Sequence, residues 1–236
     1  MSGKKFIDVR KVLREKAPGI YKILPGFIIN WLRNKLHEDE INRGMVYLDQ
    51  FHGLEHNEEI LKYLKITVEP HHAENIPKKE SVIFASNHPL GGLDGMAFIH
   101  TVGLVRKDVR FIVNDILRNL THFGDIFVGV NKVGNSSRGA LQTIEEVYSS
   151  DAAILIFPAG LVSRKLKDGI KDLEWNKSFI SKAKKYNKAI IPVYIEGQNS
   201  KFFYNFALWR KRLRIKGNLE MLLLPDEMFK QQGKTI

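Results

Sequence analysis

Apolar residues in the second two thirds of the chain form short continuous runs separated by amphipathic stretches. Runs of this length, rich in β-branched and aromatic residues, are typical of strands buried on both faces of a sheet. They are SVIFASN (81–87), VRFIVN (109–114), DIFVGVN (125–131), AAILIFPA (152–159), AIIPVYIEG (189–197) and LEMLLLP (219–225). Helical patterns lie between them, near residues 94–105, 114–122, 137–149, 174–187 and 199–210. The alternation predicts an α/β fold with a mainly parallel central sheet flanked by helices.

The first 65 residues have a different pattern, in which apolar positions recur at helical spacing among basic ones. Pro18 and Gly19 separate two predicted helical stretches. Their apolar residues include Phe6, Ile7, Val12, Leu13, Phe27, Ile28, Trp31 and Leu32. We therefore predict a basic amphipathic helical segment over residues 1–65, followed by an α/β domain over 66–236. The segment suits either a membrane interface or a helical hairpin that covers the core.

Composition narrows the function classes. The chain has 236 residues, a formal net charge of +11 and no cysteine, which excludes disulfides, thiolate metal sites and a cysteine nucleophile. The excess of basic residues favours a polyanionic partner: nucleic acid, an anionic membrane surface or an acidic carrier protein. The charged N-terminus shows no signal peptide, and no apolar stretch reaches the roughly 20 residues that span a bilayer. We expect a peripheral or monotopic protein on the cytoplasmic face of a membrane.

The most informative chemistry follows the first predicted strand, in the sequence Asn87-His88-Pro89-Leu90-Gly91-Gly92-Leu93-Asp94. Ligands bind at the carboxyl edge of such sheets, where this strand would deliver His88. A carboxylate beside a histidine fixes the ring tautomer and stabilises the imidazolium, which suits general-base catalysis on a hydroxyl group. Taken alone, Asp94 could instead cap a helix, and His88 could be a hydrogen-bonded loop histidine.

Three blocks in the right order resemble the glycerolipid acyltransferase family. They are the Asn-His…Asp stretch, the sequence FPAGLVSR (157–164), and the strand with an internal proline, IPVYI (191–195). The family places a basic residue for the acceptor phosphate in the region of residues 127–138. The resemblance spans about residues 66–224, and its first motif is the most specific.

Two departures from the family pattern concern the acceptor. Five residues separate His88 from Asp94 where the family usually has four, and Gly91 and Gly92 are suited to absorb the insertion. This spacing resembles the haemolysin-like branch, which includes O-acyltransferases of amino-acid lipids. Ala159 replaces the family's glutamate, which puts the lysophosphatidate acceptor in doubt. The chain also reaches Ile236 without the closing strand that the family generally has, so we expect a trimmed edge or a longer natural chain.

The resemblance implies an O-acyltransferase that moves a fatty acyl group from an acyl carrier protein or coenzyme A thioester to a lysolipid hydroxyl. The acceptor would be lysophosphatidate-like or, alternatively, a lyso amino-acid lipid such as an ornithine or glycine lipid. His88 would be the base and Asp94 its orienting partner, with no metal or bound cofactor. Amides near Gly91, Gly92 or Gly160 would stabilise the oxyanion. The substrate-binding candidates are Asn87, Gly91, Gly92, Lys132, Arg138, Phe157, Pro158, Ala159, Gly160 and Arg164.

Two other function classes are weaker. His52, Glu55 and His56 form the His-x-x-Glu-His pattern of inverted zincins, but Gly53 weakens the helix and no third ligand is evident. Basic clusters at residues 182–185 and 210–214 could contact nucleic acid, but no nucleic-acid-binding motif accompanies them. A non-catalytic basic protein that binds nucleic acid or membranes is the alternative outside the acyltransferase class.

Overall fold

A computed structural model describes residues 5–114, 117, 120–130, 138–215 and 217–236. Its centre is a five-stranded, entirely parallel sheet, in the order β3-β2-β4-β1-β7. The strands are β1 Val82–Ser86, β2 Val109–Asn114, β3 Phe127–Val130, β4 Ala153–Ile156 and β7 Ala189–Val193. The mainly parallel sheet predicted from the apolar runs is confirmed. Every residue of β1, an interior strand between β4 and β7, is buried, as expected for a strand covered on both faces.

Pro192 lies in β7, which is an edge strand and therefore has one unpaired side. A proline has no N–H to donate, so an edge position is where a sheet tolerates it. A short antiparallel hairpin lies outside the sheet, formed by β5 Arg164–Leu166 and β6 Gly169–Lys171. The sequence patterns did not predict this hairpin.

Three helices lie in the connections between strands, and two more follow β7. They are α6 Gly92–Gly103, α7 Arg138–Ser149, α8 Ser178–Lys185, α9 Lys201–Arg212 and α10 Leu224–Lys230. Four of the predicted helical stretches are confirmed. Much of the fifth, near 114–122, lies outside the described residues, and a 3-10 helix follows at Thr121–Ile126.

The prediction of a sixth strand at residues 219–225 is wrong. These residues form a 3-10 helix, Leu219–Leu223, that runs into α10 with Pro225 in its first turn. Periodicity alone cannot separate a short buried strand from a buried helical segment. Here the buried Glu220 ties the segment to arginines of α9 and β5 rather than to the sheet.

The N-terminal part contains α1 Val9–Lys16, α2 Pro18–Ile23, α3 Gly26–Lys35, α4 Glu38–Leu48 and α5 Gly53–Tyr63. The predicted second stretch is split, because Pro25 cannot continue α2 and instead precedes α3. Leu48, Leu61 and Leu64 join the same apolar core as strands β1, β2 and β4. Within the described residues, none of the helices has the length and apolar character needed to cross a membrane.

The final residues of the chain lie beside the segment that leads into the sheet. Thr67 and Thr235 form an isolated parallel bridge. Backbone hydrogen bonds also join Glu69 N–H to the carbonyl of Ile236 and Ile236 N–H to the carbonyl of Thr67. These contacts hold the chain end against residues 67–69.

Candidate active site

The site begins where β1 ends, near the middle of the sheet. Asn87 follows the strand, and its side-chain amide clamps the chain after β7: Nδ2 donates to the Ile195 carbonyl at 2.8 Å, and Oδ1 accepts from Ile195 N–H at 2.7 Å. This pairing continues the β1–β7 contact beyond the sheet edge. Asn87 therefore helps to fix the backbone from which His88 projects.

His88 and Asp94 contact each other as the sequence predicts. Nδ1 of His88 lies 3.0 Å from Oδ2 of Asp94. Because an ionised carboxylate only accepts hydrogen bonds, Nδ1 carries the hydrogen and the Nε2 lone pair is left to take a proton. The His88 side chain keeps 16% of its exposure while that of Asp94 has none. The base thus remains accessible, and its orienting group is buried.

Asp94 is held by the turn that precedes α6. Its Oδ2 also accepts from the backbone N–H groups of Leu90 at 2.7 Å and Gly91 at 3.1 Å, and its Oδ1 accepts from Gly95 N–H at 2.8 Å. Together with the imidazole, four N–H groups compensate the buried carboxylate, whose desolvation would otherwise be costly. The same bonds set the distance between His88 and α6.

Gly91 is the residue that lets the five-residue connection close. Its φ of 86° lies in the left-handed region that favours glycine. A Cβ at this position would lie 3.0 Å from the side-chain methyl groups of Leu224 in α10. The backbone conformation and the close approach of Leu224 both require glycine, so the longer loop is a built feature of this site.

Phe157, the first residue of the FPAG block, packs on the imidazole. Its ring is stacked on His88 with centroids 4.1 Å apart and an interplanar angle of 17°. Phe98 and Phe111 lie behind it, at 5.7 Å and 5.3 Å. The block that follows β4 therefore limits rotation of the His88 ring. Next to Phe157, the Pro158 carbonyl accepts from Asn176 N–H at 3.0 Å.

Asp172 is a site residue that the sequence analysis missed. Its Oδ1 accepts from the His88 backbone N–H at 3.2 Å and from the Ser163 hydroxyl at 2.5 Å, and its Oδ2 accepts from Trp175 Nε1 at 3.0 Å. Ser163 N–H in turn donates to the His88 carbonyl at 2.8 Å. The main chain of His88 is therefore held on both sides.

The β5–β6 hairpin brings Asp172 back to the catalytic histidine. Asp172 directly follows β6, and the hairpin turn is Lys167-Asp168, which leads into Gly169 at the start of β6 with a φ of 125°. An Asp-Gly pair between short strands is a strong hairpin signal. This signal was available in the sequence and would have placed the residues after β6 near the FPAG block.

Two of the three amides predicted as oxyanion donors are already used. Gly91 N–H donates to Asp94, and Gly160 N–H donates to the Phe157 carbonyl at 2.9 Å to close the turn after β4. In this structure both amides hold the local fold, and the assignment of the oxyanion donors stays a prediction. Gly92, at the start of α6, is the remaining candidate of the three.

Arg164 is engaged away from the imidazole. Its Nη2 donates to Glu220 at 3.0 Å, and its Nη1 donates to the Val162 carbonyl at 2.8 Å. Burial lowers the pKa of the Arg164 guanidinium, and the Glu220 carboxylate opposes that shift. The geometry gives Arg164 a role in holding residues 219–223, and its predicted contact with substrate stays a prediction. Lys132 and the side chain of Arg138 lie outside the described residues.

The His-x-x-Glu-His pattern lies at the start of α5. His56 is buried, its Nδ1 donates to the Leu48 carbonyl at 3.2 Å, and its ring stacks on His122 at 4.9 Å. Burial lowers the pKa of the His56 imidazole. Throughout the described part of the chain, no three or more histidine, aspartate or glutamate side chains are grouped to hold a metal ion. His56 is accordingly a packed core histidine.

Comparisons with known proteins identify the following similarities. A family model described as Acyltransferase matches residues 11–236. Two relatives are named lyso-glycine lipid O-acyltransferase. The one from Phocaeicola vulgatus is 40% identical over 97% of this chain and 82% of its own length. The one from Bacteroides thetaiotaomicron is 42% identical over 97% of this chain and 85% of its own length. A 1-acyl-sn-glycerol-3-phosphate acyltransferase from Borreliella burgdorferi is 28% identical over 56% of this chain and 52% of its own. The match to the solved structure of the acyltransferase PlsC from Thermotoga maritima covers 78% of this chain and 72% of the PlsC chain, with 20% identity and a TM-score of 0.41.

Proposed function

This chain belongs to the acyltransferase family and is an O-acyltransferase, and we propose that it acylates the free hydroxyl of a lyso-glycine lipid. The observation that carries the proposal is the His88–Asp94 pair, with Nδ1 held by the buried carboxylate and Nε2 left to act as a base. A base of this kind is what an alcohol nucleophile needs. The reaction requires no protein nucleophile, in keeping with a chain that lacks cysteine.

The proposed mechanism is a direct transfer. Nε2 of His88 takes the proton from the acceptor hydroxyl as its oxygen bonds to the thioester carbonyl carbon. The carbonyl oxygen becomes an oxyanion, and we propose that Gly92 N–H stabilises it. When the C–O double bond re-forms, the C–S bond breaks, and the thiolate takes the proton back from His88. The products are the ester and the free thiol, and the imidazole is neutral again.

The names of the two relatives favour a glycine lipid over lysophosphatidate as the acceptor. Both are called lyso-glycine lipid O-acyltransferases and match nearly the whole chain, whereas the lysophosphatidate-type relative matches about half of it. Ala159 supports the same choice, because it replaces the glutamate of the family pattern and this chain therefore lacks that carboxylate. We infer that the alternative acceptor identified from the sequence, an amino-acid lipid, is the better one.

The donor and the location complete the proposal. We infer that an acyl carrier protein or coenzyme A thioester supplies the acyl group at the cytoplasmic face of the membrane. Residues 1–36 would hold the protein there through exposed apolar side chains, such as Phe27 at 73% and Trp31 at 48% exposure. Interfacial helices of this kind gain from apolar burial and from attraction to anionic lipid.

An assay with competing acceptors tests the proposal. Purified protein would be given an acyl carrier protein or a coenzyme A thioester together with lyso-glycine lipid, lyso-ornithine lipid and lysophosphatidate at equal concentrations, and the products would be identified by mass spectrometry. We expect diacylated glycine lipid as the main product. The His88→Ala variant controls for chemical transfer. Preferred acylation of lysophosphatidate would overturn the choice of acceptor, and enzyme-independent rates with every acceptor would overturn the function.

A further inference from the structure

A second apolar surface lies on α9 and the residues that follow it. Large apolar side chains on this surface are exposed, including Trp209 at 71% and Leu213 at 64%. We call it the α9 surface, and its exposed apolar members are Phe202, Leu208, Trp209, Leu213, Ile215, Leu219 and Leu222. The opposite face of α9 is buried through Phe203, Tyr204 and Ala207. The exposed members on α9 are therefore on the outward side of a packed helix, and the remaining members lie in the residues that follow it.

Basic residues on the α9 surface are free of carboxylate partners. Lys201, Lys211, Arg212 and Arg214 are exposed, and no acidic side chain among the described residues lies within ion-pair distance of them. Three basic residues of the N-terminal segment differ in this respect. Lys5 and Arg33 both pair with the buried Glu38, and Lys35 pairs with Asp226.

The α9 surface is held firmly to the rest of the protein. Glu220 is fully buried and accepts from Arg164 at 3.0 Å and from Arg210 of α9 at 2.6 Å. At the other end of α9, Glu227 of α10 accepts from the Ser200 N–H and hydroxyl at 2.5 Å and 2.7 Å. These buried contacts fix the orientation of α9, and the apolar side chains on its other face remain exposed to solvent.

The α9 surface also adjoins the active site through α10. Leu224, the first residue of α10, packs with Phe203 and Tyr204 of α9 and lies against Gly91 of the catalytic turn. The far side of α10 contacts the end of α3, where Lys35 pairs with Asp226 and the ring of His37 stacks on Phe229. Helix α10 thus links the α9 surface, the N-terminal helices and the turn beside His88.

We propose that the α9 surface docks on an anionic lipid bilayer as a second membrane contact, separate from residues 1–36. The combination of exposed aromatic and aliphatic side chains with unpaired cations suits the headgroup and acyl boundary of such a bilayer. An acidic protein partner would match the cations but gives no reason for the breadth of apolar exposure. This proposal rests on the proposed function, because docking on a bilayer would bring the enzyme to a lysolipid acceptor that lies there.

Vesicle binding without substrates tests this proposal separately from acyl transfer. The full-length protein and the Trp209→Glu/Leu213→Glu variant would be sedimented with vesicles of phosphatidylcholine alone and with added phosphatidylglycerol. Val46→Glu is the matched control, because Val46 is an exposed residue of α4 with 82% exposure. We expect at least a ~10-fold weaker binding to anionic vesicles for the double variant and little change for the control. Circular dichroism would confirm that each variant is folded.

A second pair of variants isolates the charge. Lys211→Glu/Arg214→Glu should weaken binding to anionic vesicles at low salt and leave binding to phosphatidylcholine unchanged, while Arg210 keeps its contact with Glu220. Lys167→Glu, in the exposed turn of the hairpin, is the control. Wild-type binding by both double variants would overturn the proposal. So would a lipid-free dimer that the Trp209→Glu/Leu213→Glu change dissolves, because the surface would then belong to a second copy of the chain.

Discussion

Leu224 contacts both the catalytic turn (residues 87–95) and the buried face of α9, but the catalytic turn and the exposed α9 surface differ in how their side chains are partnered. In the catalytic turn, the buried Asp94 carboxylate accepts four N–H groups, and the His88 ring is stacked on Phe157. On the α9 surface, large apolar side chains and several cations face solvent. The polar groups of the catalytic turn are hydrogen-bonded within the chain. The exposed apolar side chains and cations of the α9 surface have no covering partner among the described residues.

The difference separates two tasks of an enzyme that acts on a lipid. Chemistry requires groups held at fixed distances, which the catalytic turn supplies by internal hydrogen bonds. Access to an acceptor in a bilayer requires an apolar surface whose transfer out of water lowers the free energy. Substitutions that affect one task and spare the other are the way to test this division.

The largest effect is expected from His88→Ala. Removal of a general base commonly lowers the rate about 10²–10⁴-fold, and the substitution should leave vesicle binding unchanged. His100→Ala is a suitable control, since His100 lies in the last turn of α6 and pairs with Glu58 at 2.8 Å. Initial rates with a dispersed short-chain lysolipid measure the effect. A rate near that of the wild type for His88→Ala would contradict the assigned role.

Glu220→Gln should cost most in stability. Loss of the charge leaves Arg164 and Arg210 without their shared carboxylate, and breaking a buried ion pair commonly costs about 3–5 kcal/mol. Urea unfolding would measure the fall in the free energy of unfolding. Asp39→Asn is the control, because Asp39 pairs with Arg33 at the surface and such pairs contribute little. An unchanged free energy of unfolding for Glu220→Gln would show that the α9 surface is not held by this contact.

Asp172→Asn should have a smaller effect that appears in kcat. The asparagine side chain has one acceptor oxygen, and its NH2 group only donates. The bonds to the His88 N–H, the Ser163 hydroxyl and Trp175 therefore cannot all persist. A misplaced catalytic group commonly costs on the order of tenfold or more. We expect a lower kcat with little change in KM, and no change for Asp168→Asn in the exposed hairpin turn. A rise in KM alone would contradict a positioning role.

The smallest effect is expected from Ala159→Glu. If the missing carboxylate sets the acceptor, the variant should move the ratio of lysophosphatidate to lyso-glycine lipid product upward by a few fold, as for one added polar contact. Ala159→Gln adds similar bulk without the charge and should change the ratio less. Mass spectrometry of competing products gives the ratio directly. Equal ratios in all three proteins would remove Ala159 from the set of specificity positions.

The sequence predicted the parts of this molecule that depend on local pattern. Continuous apolar runs identified the strands of the sheet, and the order of β1, turn and α6 brought His88 and Asp94 together. Features that depend on tertiary packing were missed. Asp172 reaches His88 through a hairpin, and residues 219–225 are helical, with Glu220 paired to two arginines outside the sheet.

For the same physical reason, the sequence could not predict which basic residues are paired with carboxylates. The N-terminal segment stands out in the sequence because its basic residues are close together along the chain. Several of them are paired with carboxylates from α4 and α10, among them Lys5, Arg33 and Lys35. Only the fold shows which cations are neutralised and which apolar residues of α9 stay exposed.

The central claim is that the catalytic turn performs the chemistry and the α9 surface contacts the membrane. It is tested most directly by measuring the rate of acyl transfer with two forms of the acceptor. Acyl transfer to lyso-glycine lipid would be compared in anionic vesicles and with a dispersed short-chain acceptor, for the wild type, His88→Ala and Trp209→Glu/Leu213→Glu. We predict that His88→Ala loses activity in both formats, and that the surface variant loses it in vesicles while keeping the wild-type rate on the dispersed acceptor. Equal loss by the surface variant in both formats would contradict a separate role in reaching the membrane.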